Sequence, residues 1–279
     1  MPDDTIADPR FRDAIAAIDA GNIVTLKRLL AEHPTLVRER LDYGEGYFRQ
    51  PYLLWFVAEN PVRNGTLPRN IADVARFIID AARSGRVSDL QRQLDYALGL
   101  VASGRVPRES GVQLELIDTL VDAGAKPDGA LLPALAHRET AAVERLLERG
   151  ATLTLPAAVG TKRSADVTRL GITASPEERQ MAFAAAALYG QAGDLEVLID
   201  LGVELNAYGP PGFHPHATAL HHAVDSGSLD AVKVLVREGA ELGARDAHYD
   251  ATPLRWAEHL GRREIADFLR EREPPRRDA

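Results

Sequence analysis

Six of the eight histidines lie between positions 214 and 259: His214, His216, His221, His222, His248 and His259. Imidazole ligates zinc, iron or copper and moves protons near neutral pH. His214, His216 and His222, with Asp225 or His248 beside them, would therefore make a metal or acid–base centre. The pattern speaks against a metal. His214-Pro215-His216 sits on a proline-rich stretch, and the chain has no H-E-x-x-H, no facial-triad spacing and no cysteine. The competing reading is that these imidazoles brace stiff turns through hydrogen bonds. Both readings stand at this point, and no metal or other cofactor is expected.

Two further groups could recognise a ligand. Tyr43, Tyr47, Phe48, Tyr52, Trp55 and Phe56 fall within 14 residues. Tyr43 and Tyr47 flank Gly44 and Gly46, as at an exposed tip. Tyrosine and tryptophan bury much area at little entropic cost, so Tyr43, Tyr47 and Trp55 are read as binding anchors. The alternative is that this group packs the first elements together. Arg63, Arg69, Arg105 and Arg108 occupy two long connections, 60–70 and 103–111. A guanidinium pair can grip a carboxylate or phosphate, which makes them anion-binding candidates; ordinary solvated loops are the alternative. An acid–base scheme would join His222, His214 or His216 to Tyr43 or Tyr47 and Asp95. Phosphate loops, dinucleotide fingerprints and the G-x-S-x-G elbow are missing from the sequence.

The elements that must position these residues are legible near the C-terminus. Thr218-Ala219-Leu220-His221-His222-Ala223 recurs 34 residues later as Thr252-Pro253-Leu254-Arg255-Trp256-Ala257, and Gly227 recurs as Gly261. A threonine caps each short helix, a glycine ends it, and a second helix follows with Val232, Leu235 and Val236 on one face. A self-match at this period means stacked repeats. The pattern resembles the ankyrin repeat: T-P-L-H-x-A, a helix pair, Gly239-Ala240, then a hairpin containing Asp246. The resemblance implies that His221 hydrogen-bonds the backbone of an adjacent hairpin, as the repeat histidine does. It also implies an all-α, ankyrin-type helix-pair solenoid with short hairpin fingers.

About seven helix pairs are expected in one solenoid over 1–275, with divergent repeats at about 8–128, regular ones at about 129–273, and a disordered tail at 274–279. Helices are expected over Ile23–Ala31, Leu53–Glu59, Ile71–Ala82, Leu90–Ala102 and Leu114–Ala123. The stretch 206–216, with Tyr208, Phe213, His214 and His216, is expected as an extended finger because its prolines and glycines preclude a helix. His248 belongs to the next finger, and Trp256 stands where His222 stands one repeat earlier, facing the concave groove. All seven, His222 included, are binding candidates.

Composition bounds the function. A net charge of −8 argues against general nucleic-acid binding. The N-terminus lacks an apolar signal core, and no apolar run reaches the ~20 residues that span a bilayer. Absent cysteine suits a reducing cytoplasm. The resemblance implies a module that binds a protein or peptide partner in its concave groove. A small-molecule binder or acid–base enzyme is the alternative, and a scaffold or immunity-type partner with an acidic groove is a third idea.

Overall fold

A computed structural model describes residues 6–272. The expected tail at 274–279 lies outside these. The chain divides into two compact units, the first ending at Thr152 and the second beginning at Leu153.

The first unit holds α1 (Pro9–Asp19), α2 (Ile23–Glu32), a 3-10 segment (Leu53–Ala58), α3 (Ile71–Ser84), α4 (Leu90–Ala102), α5 (Arg105–Glu109), α6 (Gln113–Asp122), α7 (Asp128–Ala136) and α8 (Thr140–Glu148). Its start is set as the sequence suggests: Asp8 accepts from Arg10 N–H at 2.9 Å and Pro9 takes the first turn, where no N–H is needed. The 3-10 segment packs on α4, and α4 on α7, as an inner row; α3 packs on α6, and α6 on α8, as an outer row.

Two expectations change here. Residues 53–59, read as an α-helix, form a 3-10 segment closed by Glu59 at φ 49°. All six residues from Leu53 to Ala58 are buried, so the segment has no solvated face, and Pro61 disfavours helical backbone at Asn60. The loop 103–111 contains α5, held by buried Val106 and Pro107.

The second unit holds α9 (Leu155–Gly160), α10 (Ser164–Thr173), α11 (Pro176–Leu188), α12 (Ala192–Asp200), α13 (Ala219–Ser226), α14 (Leu229–Arg237), α15 (Pro253–His259) and α16 (Arg263–Arg270). The first helix of each pair stacks on the next to give an inner row α9–α11–α13–α15, and the second helices make the outer row α10–α12–α14–α16. Alanine makes the close inner stacking possible: Ala182, Ala184, Ala185, Ala186 and Ala187 of α11 are all buried. Ser175 and Glu178 form a capping box at α11. Gly227 ends α13 at φ 78°, a conformation that glycine adopts without a Cβ penalty. Eight contacting helix pairs can be followed among the described residues, counting the 3-10 segment with α3, rather than about seven. The connection 206–216 forms no helix, as expected, but it is folded into turns rather than extended: Phe213 N–H donates to Pro210 O at 3.0 Å, and Gly212 and His214 take positive φ. Tyr208 bridges Thr218, and Gly209 N–H donates to Ala217 O at 2.9 Å.

Candidate binding surface and histidine cluster

The histidine cluster grows from the cap of α13. Thr218 N–H donates to His221 Nδ1 at 3.3 Å, and the threonine hydroxyl lies 2.9 Å from the same atom. Nδ1 must then be the acceptor, so the proton sits on Nε2, which donates to Ala251 O in the next hairpin at 3.0 Å. Burial lowers the His221 pKa from its ordinary value, which keeps this neutral tautomer in place. This is the bracing role that the repeat pattern implies.

His222 follows on the same helix and is only 2% exposed. Burial, reinforced by His214, His216 and His221, brings its pKa down to about 3, and its Nε2 has no hydrogen-bond partner. The ring centroids of His214 and His222 are 5.5 Å apart, those of His214 and His216 5.9 Å, and those of His216 and His222 6.1 Å. His216 stacks flat on His248 at 4.4 Å, and burial followed by His248 and His214 lowers its pKa too. The sequence correctly gathers these four rings. Among the described residues, however, no group of three or more His, Cys, Asp or Glu is placed to hold a metal ion.

Two of the binding candidates, His222 and Phe213, are internal. His222 is buried with its ring against His214 and His216 of the finger. Phe213 is fully buried, its amide donating to Pro210 O at 3.0 Å. A finger rich in proline and glycine has few ways to hold itself, and this ring is its anchor. Gly209 fits beneath it because a Cβ there would meet His214 O at 2.4 Å. Phe213→Ala is expected to raise amide exchange at Gly209 and at Ala247, which donates to His216 O at 2.8 Å, by about tenfold or more, with α16 unaffected. Equal protection in both proteins would show that the backbone bonds hold the finger without the ring.

Beyond the finger lies the surface feature. Asp246, 2% exposed, accepts from His248 N–H (2.9 Å), Tyr249 N–H (2.8 Å), Ala251 N–H (3.0 Å) and the Trp256 indole (3.0 Å). Burial alone would raise its carboxyl; these donors outweigh it and hold the pKa at about 2. Asp246 fixes the hairpin 246–251 on α15 and was legible only as the acid of the repeat hairpin. The hairpin presents Tyr249, 79% exposed. Around it opens a groove of about 840 Å³ lined by Asp225, Tyr249, Asp250, Arg255, half-buried Trp256, Glu258, His259 and Leu260. Tyr208 stands on the preceding finger, its hydroxyl donating to Arg245 O at 2.5 Å.

In the first unit the expected anchors divide. Tyr47 is exposed, with its hydroxyl donating to Asn60 Oδ1 at 2.9 Å, and Tyr43 is half-buried with its ring 6.4 Å from Phe56. Trp55 is a core residue, 3% exposed, not a surface anchor. Its indole donates to Gln93 O at 3.2 Å and its ring lies 4.2 Å from that of Tyr96. Asp95 Oδ1 accepts from Lys126 N–H and the Gln91 side chain, each at 2.8 Å.

The anion clamp is largely neutralised from within. Arg63 pairs with Asp19 (2.7 Å) and Glu59 (2.8 Å), Arg108 with Glu139 (2.6 Å), and Arg105 with Glu109 (2.6 Å). Arg69 stays exposed. Glu109 lies in α5 beside Arg105, but Asp19 and Glu139 come from separate elements, which the loop sequences did not reveal. Tyr43, Asp95 and the arginines belong to the first unit, and the histidines to the second.

Comparison with known proteins agrees with the second unit's geometry. A family model described as ankyrin repeats (3 copies) matches residues 183–278. The chain is 37% identical over 83 residues to human cyclin-dependent kinase inhibitor 2A, covering 30% of this chain and 51% of that protein. It thus spans about half the length of the curated relative it matches. The threonine caps at Thr218 and Thr252 and the histidine bonded to the next hairpin fall within this match, and residues 183–278 are ankyrin repeats.

Proposed function

We propose that this protein is a binding module whose second unit captures a basic, apolar-bearing segment of a protein partner in the groove between the 246–251 hairpin and α15. Ankyrin repeats generally mediate protein–protein interaction, which supports the class of function. The observation that carries the finer reading is Tyr249. A tyrosine 79% exposed at a hairpin tip, its ring edge-on to His248 at 6.2 Å and otherwise open to solvent, beside half-buried Trp256 and Leu260 at 40% exposure, has the character of a binding anchor. Asp225, Asp250 and Glu258 outnumber Arg255 on the walls; Arg245 pairs with Asp250 at 2.6 Å and Arg270 with Glu258 at 3.1 Å, but both are exposed pairs of little strength that a partner's positive charge can replace. The fingers with Tyr208, His214, His216 and His248 flank this groove. Among the described residues no helix is long and apolar enough to cross a membrane. A cytoplasmic location goes with this reading, supported by a fold held without cysteine.

The test is a random peptide library selected on the full chain, followed by titration of the enriched peptides. Enrichment of lysine or arginine beside an aromatic or leucine is expected. Tyr249→Ala combined with Leu260→Ser is expected to weaken binding about tenfold to a hundredfold, a loss of ~1.4–2.8 kcal/mol. Unchanged affinity in the double variant, or enrichment of acidic peptides, would reject the groove. The second reading, a small-molecule or acid–base site, draws on the unpartnered His222 Nε2 beside His214 and His216. Native mass spectrometry of the protein and a His214→Ala, His222→Ala variant separates the two: a bound small molecule lost in the variant favours the second.

A further inference from the structure

The inner row of the first unit carries a cavity of about 380 Å³ that has no part in the groove above. Its walls are two helical stripes, Asp95, Tyr96, Gly99, Leu100 and Ser103 from α4 and Gly129, Pro133 and His137 from α7, closed on one side by Tyr47 and Asn60. This volume is in the range of sites that enclose a small ligand or one large side chain.

The floor is open for no internal reason. Gly99 sits in the interior of α4, where glycine destabilises a helix relative to alanine. A Cβ built there meets nothing within 4 Å, so packing does not demand glycine. Gly129 is equally unobstructed. One turn later Pro133 has no N–H, so the Gly129 carbonyl lacks its i+4 donor. The walls, by contrast, are fixed. The Tyr96 hydroxyl donates to Tyr47 O, its ring rests on Trp55, and the Tyr47 hydroxyl bonds Asn60. Asn60 in turn donates to Leu100 O at 3.3 Å. Desolvation raises both phenol pKa values, so the walls are neutral aromatic rings. The one carboxylate among the lining residues is Asp95. Its two hydrogen bonds both fall on Oδ1, and among the described residues no donor reaches Oδ2.

We propose that this cavity receives the side chain of a lysine or arginine from a partner segment, with the apolar stem over Gly99 between Tyr47 and Tyr96 and the cationic head at Asp95. A neutral aromatic wall and a carboxylate together select a cation on an apolar stem. The acceptors left in the walls, the Gly129 carbonyl and Asp95 Oδ2, match the several donors of an ammonium or guanidinium. A neutral apolar ligand would leave those acceptors unpaired, and an anion would meet Asp95 head on. Ligand source is decided by the rigid, single-side-chain scale of the cavity at the edge of an extended inner row.

The inference is independent of the second-unit groove, and its test leaves that groove untouched. The full-length chain is labelled with nitrogen-15 and titrated with Ac-Gly-Gly-Lys-Gly-Gly-amide, its arginine and norleucine counterparts, and free n-butylammonium. Saturable shifts centred on Gly99, Ser103 and Gly129 are expected with the lysine and arginine peptides, and binding at least ~10-fold weaker with norleucine. Asp95→Asn, which keeps the Oδ1 acceptor, should lose a similar factor. Gly99→Leu should abolish the shifts, and Gly99→Ala should raise the melting temperature, which separates occlusion from misfolding. Equal binding of norleucine, full binding in Gly99→Leu, or no saturable shift would overturn the proposal. Binding of n-butylammonium as tight as that of the lysine peptide would overturn the partner segment as the source.

Discussion

Arg63→Ala is expected to destabilise the first unit by about 3–5 kcal/mol, the cost of leaving a buried charge without its partner. The Glu59 side chain is fully buried, and Arg63 is 14% exposed between it and Asp19. Glu59 Oε1 accepts from the backbone N–H groups of Arg63, Asn64 and Gly65, which shapes the turn after the 3-10 segment. Oε2 lies 2.8 Å from Arg63 Nη2 as an ion pair, without the alignment of a hydrogen bond. The guanidinium also donates to Phe56 O at 3.0 Å and lies 5.0 Å over the Phe56 ring. Removing it leaves an ionised carboxylate in an apolar core and a carbonyl without its donor. Arg69→Ala, on the same connection but exposed, should stay within about 0.5 kcal/mol. Urea unfolding followed by Trp55 fluorescence in a Trp256→Phe background reads the first unit alone. A change in Arg63→Ala no larger than that in Arg69→Ala would show that the ion pair contributes nothing.

The second unit is expected to lose stability on acidification well above the usual carboxylate range. His222 has a folded pKa of about 3 against an ordinary value of 6.5, so the unfolded chain binds the extra proton between these pH values. Stability from this group is complete above pH 6.5 and falls as pH drops toward 3, at ~1.4 kcal/mol per pH unit. Between pH 7 and pH 5 this single group removes about 2 kcal/mol. His216 and His221, also lowered, act in the same direction. Asp246, held at about 2, withdraws its contribution only once pH falls below ~3.8. Asp194 works the other way: burial raises its pKa, so its folded state is favoured at low pH and penalised as pH rises through that raised value. The histidines outnumber it in the window from pH 5 to 6.5. Thermal melts of the full chain across pH 5–8 should show the slope, and His222→Gln should flatten it. An unchanged slope in that variant would place the proton uptake elsewhere.

Local signals carried much of the architecture. The 34-residue echo located α13 to α16, with the threonine caps of α13 and α15 formed as read. Leu90–Ala102 was legible residue for residue. Of the candidate sites, the gathering of His214, His216, His222 and His248 was readable because the repeat register sets which hairpin meets which helix. Exposure was not readable. Tyr47 and Trp55 share one aromatic run, yet Tyr47 is 59% exposed and Trp55 3%.

The division has one physical cause. Helix starts, caps, turns and the repeat period depend on residues within a few positions of each other, so side-chain type and spacing determine them wherever the chain goes. Burial and charge pairing depend on partners brought from other elements. Gln93 supplies the carbonyl for Trp55 and Asp19 the carboxylate for Arg63, while Glu139 neutralises Arg108. Those partners lie 38, 44 and 31 residues away along the chain. Only the stacking of the helical rows decides whether a guanidinium meets solvent or a buried carboxylate, and whether an aromatic ring anchors a partner or fills a core.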